Sequence, residues 1–247
     1  MPRLALSLTT PDGPCETSLF RPDSGDGPWP AVLLFMDGLG IRPALFEIAE
    51  RIAANGYVVL VPDMFHRSGT CATISASTFF SDEGRRAEWI ATHMATMSAD
   101  GVRADTAACL DFLSARSDVK QSSIGTIGYC MGGGHALSAA GNFPDRVVAA
   151  ASFHGGRLAS DAPQSPHLLA PKTKARVYVA GATDDASFPD DMKARLEAAL
   201  TAAGVRHTIE TYPGRHGFVP SDTPSYDPAL AERHFTAAIG LFDGALK

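Results

Sequence analysis

The sequence feature that most constrains the fold is the stretch from Ile124 to Ala140, in which Cys130 stands at a corner between two glycines. Its first six residues have the pattern of a short buried strand, and Met131 to Ala140 is compatible with a helix. A sharp turn from strand to helix needs small residues beside the corner, and Gly128 and Gly132 supply them. The pattern Gly-x-Cys-x-Gly therefore predicts a nucleophile elbow that carries cysteine in place of the usual serine.

The predicted elbow surrounds the Cys130 thiol with groups that stabilise negative charge. The amide of Met131 points at whatever the sulfur attacks, and the N-terminus of the following helix adds a partial positive charge. Both favour a thiolate over a thiol, and both favour the oxyanion that forms when a carbonyl is attacked. The alternative is an ordinary buried cysteine in a glycine-rich turn, which five residues alone do not exclude.

The rest of the chain excludes several classes of protein. Its 247 residues, 45% of them hydrophobic and 19% charged, fit one globular domain over residues 1–247. With 21 Lys and Arg against 27 Asp and Glu and no long run of either sign, we expect no nucleic-acid partner. The absence of an export signal and of eighteen consecutive apolar residues predicts a cytoplasmic protein without a membrane partner. The four cysteines lack metal-ligand or Cys-x-x-Cys spacing and are expected to be reduced.

Alternating apolar strands and amphipathic helices predict an α/β fold. We expect a mostly parallel twisted sheet of about 7–8 strands with helices on both faces. Residues 62–98 are less regular, with a helix near 85–97, and are interpreted as cap-like material over the site. The predicted strands are an edge hairpin over 4–8 and 16–21, then 31–36, 57–61, 124–129, 146–153, 175–180 and 206–212, and the other predicted helices are 43–54, 100–115, 131–140, 190–203 and 228–242.

Two loops that follow predicted strands carry the partners a cysteine nucleophile needs. Asp184 and Asp185 follow one strand and His216 follows the next, at the sheet edge where ligands bind. With Cys130 they give nucleophile, acid and histidine in the chain order of an α/β-hydrolase. An imidazole can take the thiol proton while a carboxylate fixes its tautomer. From the residues alone either aspartate could be the acid, the other being a turn former, and His216 alone could be an exposed loop histidine.

Three blocks of this sequence resemble the dienelactone hydrolase family of the α/β-hydrolase superfamily, over roughly residues 15 to 245. They are Gly-Tyr-Cys-Met-Gly-Gly at 128–133, Gly-Ala-Thr-Asp-Asp-Ala-Ser-Phe-Pro at 181–189 and Tyr-Pro-Gly-Arg-His-Gly-Phe at 212–218. The resemblance implies that Asp185, four residues before a proline, is the acid. It also implies that the amides of Met131 and Gly38 form the oxyanion hole. Asp37 matches a family carboxylate, usually glutamate, that modulates the resting thiol.

The sequence departs from the family where substrate is bound. Position 220, where the resemblance calls for a substrate-binding arginine, is proline, so dienelactone itself is not the expected substrate. Arg85 and Arg86 lie in roughly the region of a second such arginine, and a solvated helix start is the alternative for both. His154, Phe188 and Phe218 are candidates for the pocket wall. The chemistry calls for no metal and no organic cofactor.

The sequence thus predicts a cofactor-independent hydrolase of a small ester or lactone, working through an acyl-enzyme intermediate. The alternatives are a thioesterase or general carboxylesterase with the same triad, and a ligand-binding or redox-sensing member of the fold that turns nothing over. The expected partner is a small-molecule substrate, and the chain is expected to be a monomer.

Overall fold

A single eight-stranded sheet organises the computed structural model of the chain, which describes residues 3–69 and 71–247. The strand order is β1-β2-β4-β3-β5-β6-β7-β8. β1 pairs antiparallel with β2, and β2 antiparallel with β4, whereas every later pair is parallel. The strands are β1 (Leu4–Thr10), β2 (Gly13–Phe20), β3 (Trp29–Phe35), β4 (Val58–Pro62), β5 (Val119–Tyr129), β6 (Val147–Phe153), β7 (Arg176–Ala182) and β8 (His207–Tyr212).

Helices connect the parallel strands. They are α1 (Pro43–Ala54), α2 (Ala76–Ser81), α3 (Glu83–Thr92), α4 (Ala99–Ser114), α5 (Met131–Asn142), α6 (Asp190–Ala202) and α7 (Pro228–Leu246), with short 3₁₀ helices at His66–Ser68, Met94–Thr96 and Pro166–Lys172. The bounds of α1 follow from its sequence, since proline occupies the first turn and Asn55-Gly56 ends the helix. None of the described helices is both long enough and apolar enough to cross a membrane.

The core lies around the central strands. β3 is buried on both faces, and Ala31 through Phe35 have no exposed surface. That burial explains why its sequence is a continuous apolar run rather than an alternating one. Because β3 and β5 are parallel neighbours, their carboxyl ends bring the loop at residues 36–42 beside Cys130 at the start of α5.

The structure differs from the sequence prediction in several places. The helix expected near 85–97 ends as an α-helix at Thr92 and continues as the separate 3₁₀ turn Met94–Thr96. Residues 166–172, which fall outside every predicted strand and helix, form the 3₁₀ helix Pro166–Lys172. β5 begins at Val119 rather than residue 124, because an amino-terminal extension pairs Val119 with Trp29 although its sequence is polar.

Candidate active site

Cys130 lies at a strained corner between β5 and α5. Its backbone has φ 54° and ψ −118°, a conformation that residues with a side chain rarely adopt. The two flanking glycines make the corner possible. A Cβ atom on Gly128 would lie 1.9 Å from the Gly132 carbonyl oxygen, and one on Gly132 would lie 2.4 Å from that of Met36. The predicted elbow and the predicted need for both glycines are confirmed.

Cys130, His216 and Asp185 come together at the carboxyl edge of the sheet. Nδ1 of His216 lies 2.7 Å from Oδ2 of Asp185, whose carboxylate is buried. This contact leaves Nε2 of His216 for the thiol, and the Cys130 sulfur is one of the groups that raise the pKa of His216. The arrangement is a relay from a buried carboxylate through an imidazole to sulfur, which can move a proton between the sulfur and a reacting group.

The two partners hold His216 in its charged form. Burial lowers the pKa of His216, but hydrogen bonds to Asp185 and Cys130, together with their charges, outweigh burial and raise it to about 10. Burial raises the pKa of Asp185, and hydrogen bonds from His216 and Ser187 overcome that effect and lower it. At neutral pH the site therefore contains an imidazolium next to the sulfur and a carboxylate behind it.

The structure separates the two candidate aspartates. Asp184 is exposed and has φ 54°, a left-handed conformation that aspartate tolerates in turns, whereas the Asp185 carboxylate faces His216. Ser187 supports Asp185, since both its amide and its hydroxyl donate to Oδ1, at 2.9 and 2.5 Å. The Ser187 hydroxyl also lies 3.1 Å from Nδ1 of His216. Ser187 was not among the predicted site residues, although its position two residues after an aspartate is typical of an Asx turn.

The two amides expected to bind an oxyanion follow the neighbouring strands β3 and β5. Met131 is the first residue of α5, where a backbone N–H has no partner within the helix. Gly38 lies in the loop after β3, and a Cβ atom there would be 3.4 Å from Sδ of Met94. The indole Nε1 of Trp89 donates to the Gly38 carbonyl at 2.8 Å and so holds this loop in place.

Asp37 does not do what the resemblance implied. Both of its carboxylate oxygens accept hydrogen bonds from the Arg42 guanidinium, at 2.7 and 2.8 Å, and Oδ1 also accepts from the Leu39 amide at 2.9 Å. Asp37 is thus engaged by Arg42 rather than by the thiol, because a buried carboxylate requires a counter-charge and Arg42 supplies it in bidentate geometry. Arg42 also bonds Asp222, six residues after His216.

A cavity of about 800 Å³ opens beside the Cys130 thiol. Cys130, Met131, Ser187 and His216 line one end of it. Four residues of the segment predicted to be cap-like also line it, namely Ile90, Met94, Met97 and Ser98. The remaining walls come from α4, from α5 and from the region 163–169, which sequence reasoning did not connect with the site.

The predicted substrate-binding residues lie outside this wall. Arg85 and Arg86 are on α3, each within 4 Å of a neighbouring glutamate, and neither lines the cavity. Both arginines lie in the first turn of α3, a largely exposed helix that packs against the protein through its buried residue, Trp89. Phe188 and Phe218 are fully buried core residues, as aromatic side chains usually are.

His154 is buried directly behind the site. Its ring packs edge-on against His216, with centroids 5.3 Å apart, and against Phe218. Burial lowers its pKa well below the usual histidine range, and neither ring nitrogen has a hydrogen-bond partner among the described residues. His154 therefore supports the His216 ring as a neutral packing group and does not form the wall predicted for it. Within residues 3–69 and 71–247, no group of three His, Cys, Asp or Glu side chains is placed to hold a metal ion.

Comparison with known proteins gives the same family as the sequence blocks. A profile of the Dienelactone hydrolase family matches residues 15–246. A protein from Synechocystis sp., provisionally named carboxymethylenebutenolidase, is 28% identical over 225 residues, which cover 90% of this chain and 88% of the relative.

Solved structures show the same fold. A provisionally assigned dienelactone hydrolase from Klebsiella pneumoniae superimposes with a TM-score of 0.83 at 22% identity, covering 98% of this chain and 99% of the other. A dienelactone hydrolase-like promiscuous phosphotriesterase from metagenomic libraries gives a TM-score of 0.78 at 23% identity, with both chains fully covered. The α/β-hydrolase fold predicted from the sequence is confirmed.

Proposed function

This chain belongs to the dienelactone hydrolase family, which makes it a hydrolase of an ester or lactone, and from that premise we propose that Cys130 is its nucleophile. The observation that carries the proposal is the relay from Asp185 through His216 to Cys130 at the end of a cavity. His216 is the proton carrier, and Asp185 holds its tautomer and stabilises its positive charge.

The proposed reaction has two halves. The Cys130 thiolate attacks the carbonyl carbon, a carbon–sulfur bond forms, and the oxyanion is bound by the amides of Met131 and Gly38. The intermediate collapses as the ester bond breaks, and the leaving oxygen takes the proton of the His216 imidazolium. Neutral His216 then removes a proton from water, which attacks the thioester, and the acid leaves as the thiolate is restored.

The charge state of the resting site supports this sequence of events. The imidazolium form of His216, favoured at neutral pH by Cys130 and Asp185, is the form that can protonate a leaving group. The strained Cys130 backbone holds the sulfur at the cavity rather than in the core. An activated ester or enol lactone, whose leaving oxygen needs little help, also suits a sulfur nucleophile better than an amide does, because sulfur leaves a tetrahedral intermediate more readily than oxygen.

The test is a burst-phase assay with p-nitrophenyl acetate and an enol lactone. We expect one equivalent of fast product release in the wild type, and a loss of at least about 10³-fold in kcat for Cys130→Ala and His216→Ala. Cys71→Ala is the matched control. Cys71 lies on the surface, and partial desolvation and nearby carboxylates raise the pKa of its thiol, so removing it should leave the activity unchanged.

The alternative outcomes identify which part of the proposal is wrong. Retained turnover in a folded Cys130→Ala protein would exclude the thiol as nucleophile while leaving the hydrolase intact. A wild type inert towards every ester, whose Cys130 is nevertheless alkylated by iodoacetamide much faster than Cys71, would favour a binding or redox-sensing protein. Faster turnover of acyl thioesters than of oxygen esters would make it a thioesterase.

A further inference from the structure

The cavity beside Cys130 follows one face of α5 along its whole length. The α5 residues that line it are three or four apart, a spacing that places them on one helix face: Met131, Gly134, His135, Ser138, Ala139 and Asn142. At a rise of 1.5 Å per residue, the first and last of these positions are about 16 Å apart. A small lactone bound at Cys130 would leave most of this floor uncovered.

Large apolar side chains from two separate segments line the cavity beside this floor. They are Ile90, Met94 and Met97 from the cap-like segment, and Leu168 and Leu169 from the region 163–169. Ile90 and Leu168 are 41% and 52% exposed, which is unusual for large aliphatic side chains in a chain whose other leucines and isoleucines mostly lie in the core. Exposed apolar side chains that border a concave site indicate an apolar ligand.

Charge is confined to the ends and the rim. His135 contributes the one ring on the floor, and burial lowers its pKa to about 4, so it is neutral at physiological pH. Asp100 and Arg103 line the cavity from the exposed side of α4, where they pair with each other at 3.1 Å. Arg157 is exposed at the Cys130 end, its amide donating to the Ser187 carbonyl. A substrate arm with a negative charge would therefore find no buried cation among the described residues that form the floor beyond Cys130.

We infer that the site takes esters or lactones that carry a long linear apolar arm, with the reacting carbonyl at Cys130 and the arm lying along α5. The position of the carbonyl rests on the proposed function, whereas the position of the arm rests on the cavity alone. Asn142 is the last residue of α5 that lines the cavity and marks the far end of the floor.

The test compares p-nitrophenyl esters of two to twelve carbons below their micelle-forming concentrations. Each methylene that becomes fully buried favours the complex by about four-fold. Since the arm is only partly enclosed, we expect kcat/KM to rise about 10-fold or more in total between the acetate and the octanoate or decanoate. A rate that falls steadily beyond the butanoate would overturn the inference.

A variant that blocks the floor locates the arm. Ser138 lies about 10 Å along the axis from Met131, so Ser138→Phe should lower kcat/KM for the decanoate at least 10-fold relative to that for the acetate. Thr236→Phe makes a comparable change on the exposed side of α7, outside the cavity, and should leave the ratio unaltered. Equal ratios in both variants would show that the arm does not lie on α5.

A binding measurement separates this inference from the proposed function. Dodecan-2-one and butan-2-one cannot be hydrolysed, and calorimetry should find the long ketone binding at least 10-fold more tightly to both the wild type and Cys130→Ala. If the long ketone binds but no ester is turned over, the proposed function fails and the apolar groove stands. If acetate is hydrolysed through Cys130 but neither long esters nor the long ketone are preferred, the groove assignment is wrong.

Discussion

Removal of the Arg42 side chain, which does not line the cavity, should strongly lower the stability of the fold. Its guanidinium is only 6% exposed and makes two hydrogen bonds to Asp37 and two to Asp222. Asp37 belongs to the loop that carries Gly38, and Asp222 to the segment that follows His216. Arg42 therefore joins the two loops on which the proposed oxyanion hole and proton carrier depend.

The cost of Arg42→Met follows from burial. Asp37 would keep only the Leu39 amide as a partner and would become an uncompensated buried charge, which costs about 3–5 kcal/mol. Asp222 adds little, because more than a third of its side chain is exposed and its charge returns to water. For a chain of this length the loss corresponds to a fall in melting temperature of about 6–20 °C.

Arg51 provides the matched control. It makes the same bidentate contact with Glu232, at 2.6 and 2.8 Å, but the two side chains are 48% and 66% exposed. This pair is open to water and salt and contributes little, and a methionine stem can retain part of the contact with Phe235, so Arg51→Met should shift the melting temperature by less than about 4 °C. Equal shifts for the two variants, measured by calorimetry, would refute the argument from burial.

A second substitution tests the cause. Adding Asp37→Asn to Arg42→Met removes the buried charge while leaving an oxygen to accept from the Leu39 amide. We therefore expect the double variant to recover much of the lost stability. A double variant no more stable than Arg42→Met would mean that lost packing, rather than the unpaired carboxylate, accounts for the destabilisation.

Three further perturbations test the elbow and the relay. The His216 ring should titrate near pH 10 when followed by NMR, and at lower pH in Cys130→Ala, so an unchanged NMR midpoint in that variant would contradict the contact with sulfur. The stability that His216 contributes should be complete below about pH 6.5 and lost as the pH rises through about 10. Gly132→Ala should destabilise the fold by about 1–3 kcal/mol or more in denaturant unfolding, whereas Gly240→Ala, with open space around it on α7, should gain up to about 1 kcal/mol. Ser187→Ala should lower kcat/KM by about 3–10-fold through loss of the hydrogen bond to Asp185, and an unchanged value would remove Ser187 from the relay.

Local patterns allowed much of the fold to be predicted. α1 begins at Pro43 and ends at Ala54 as expected, because proline fixes its first turn and Asn55-Gly56 ends it. β3 followed from an apolar run that only a doubly covered strand explains. The elbow followed from steric constraint, since the positions of Gly128 and Gly132 leave no room for a Cβ atom.

Features that depend on tertiary contacts could not be predicted in this way. The 3₁₀ helix Pro166–Lys172 contains two prolines and resembles a loop in sequence, yet it packs against α5 and forms part of the cavity wall. Nothing in periodicity distinguishes Asp184 from Asp185, because the difference is the left-handed backbone of Asp184, which turns the next carboxylate towards His216. The family pattern supplied that choice, and the contact with His216 supports it.

Asp37 shows how a correct position can carry a wrong role. The sequence places a carboxylate where the family has one, but Arg42 follows five residues later, a spacing that belongs to neither helix nor strand and so gives no sign of contact. The contact forms because the loop turns at Gly40, whose φ is 87° and where a Cβ atom would lie 2.1 Å from the Ala72 carbonyl oxygen. With both Asp37 oxygens held by a guanidinium, the proposed proton carrier for Cys130 is His216 rather than Asp37. Asp37 should therefore act on the site only through the position of its loop.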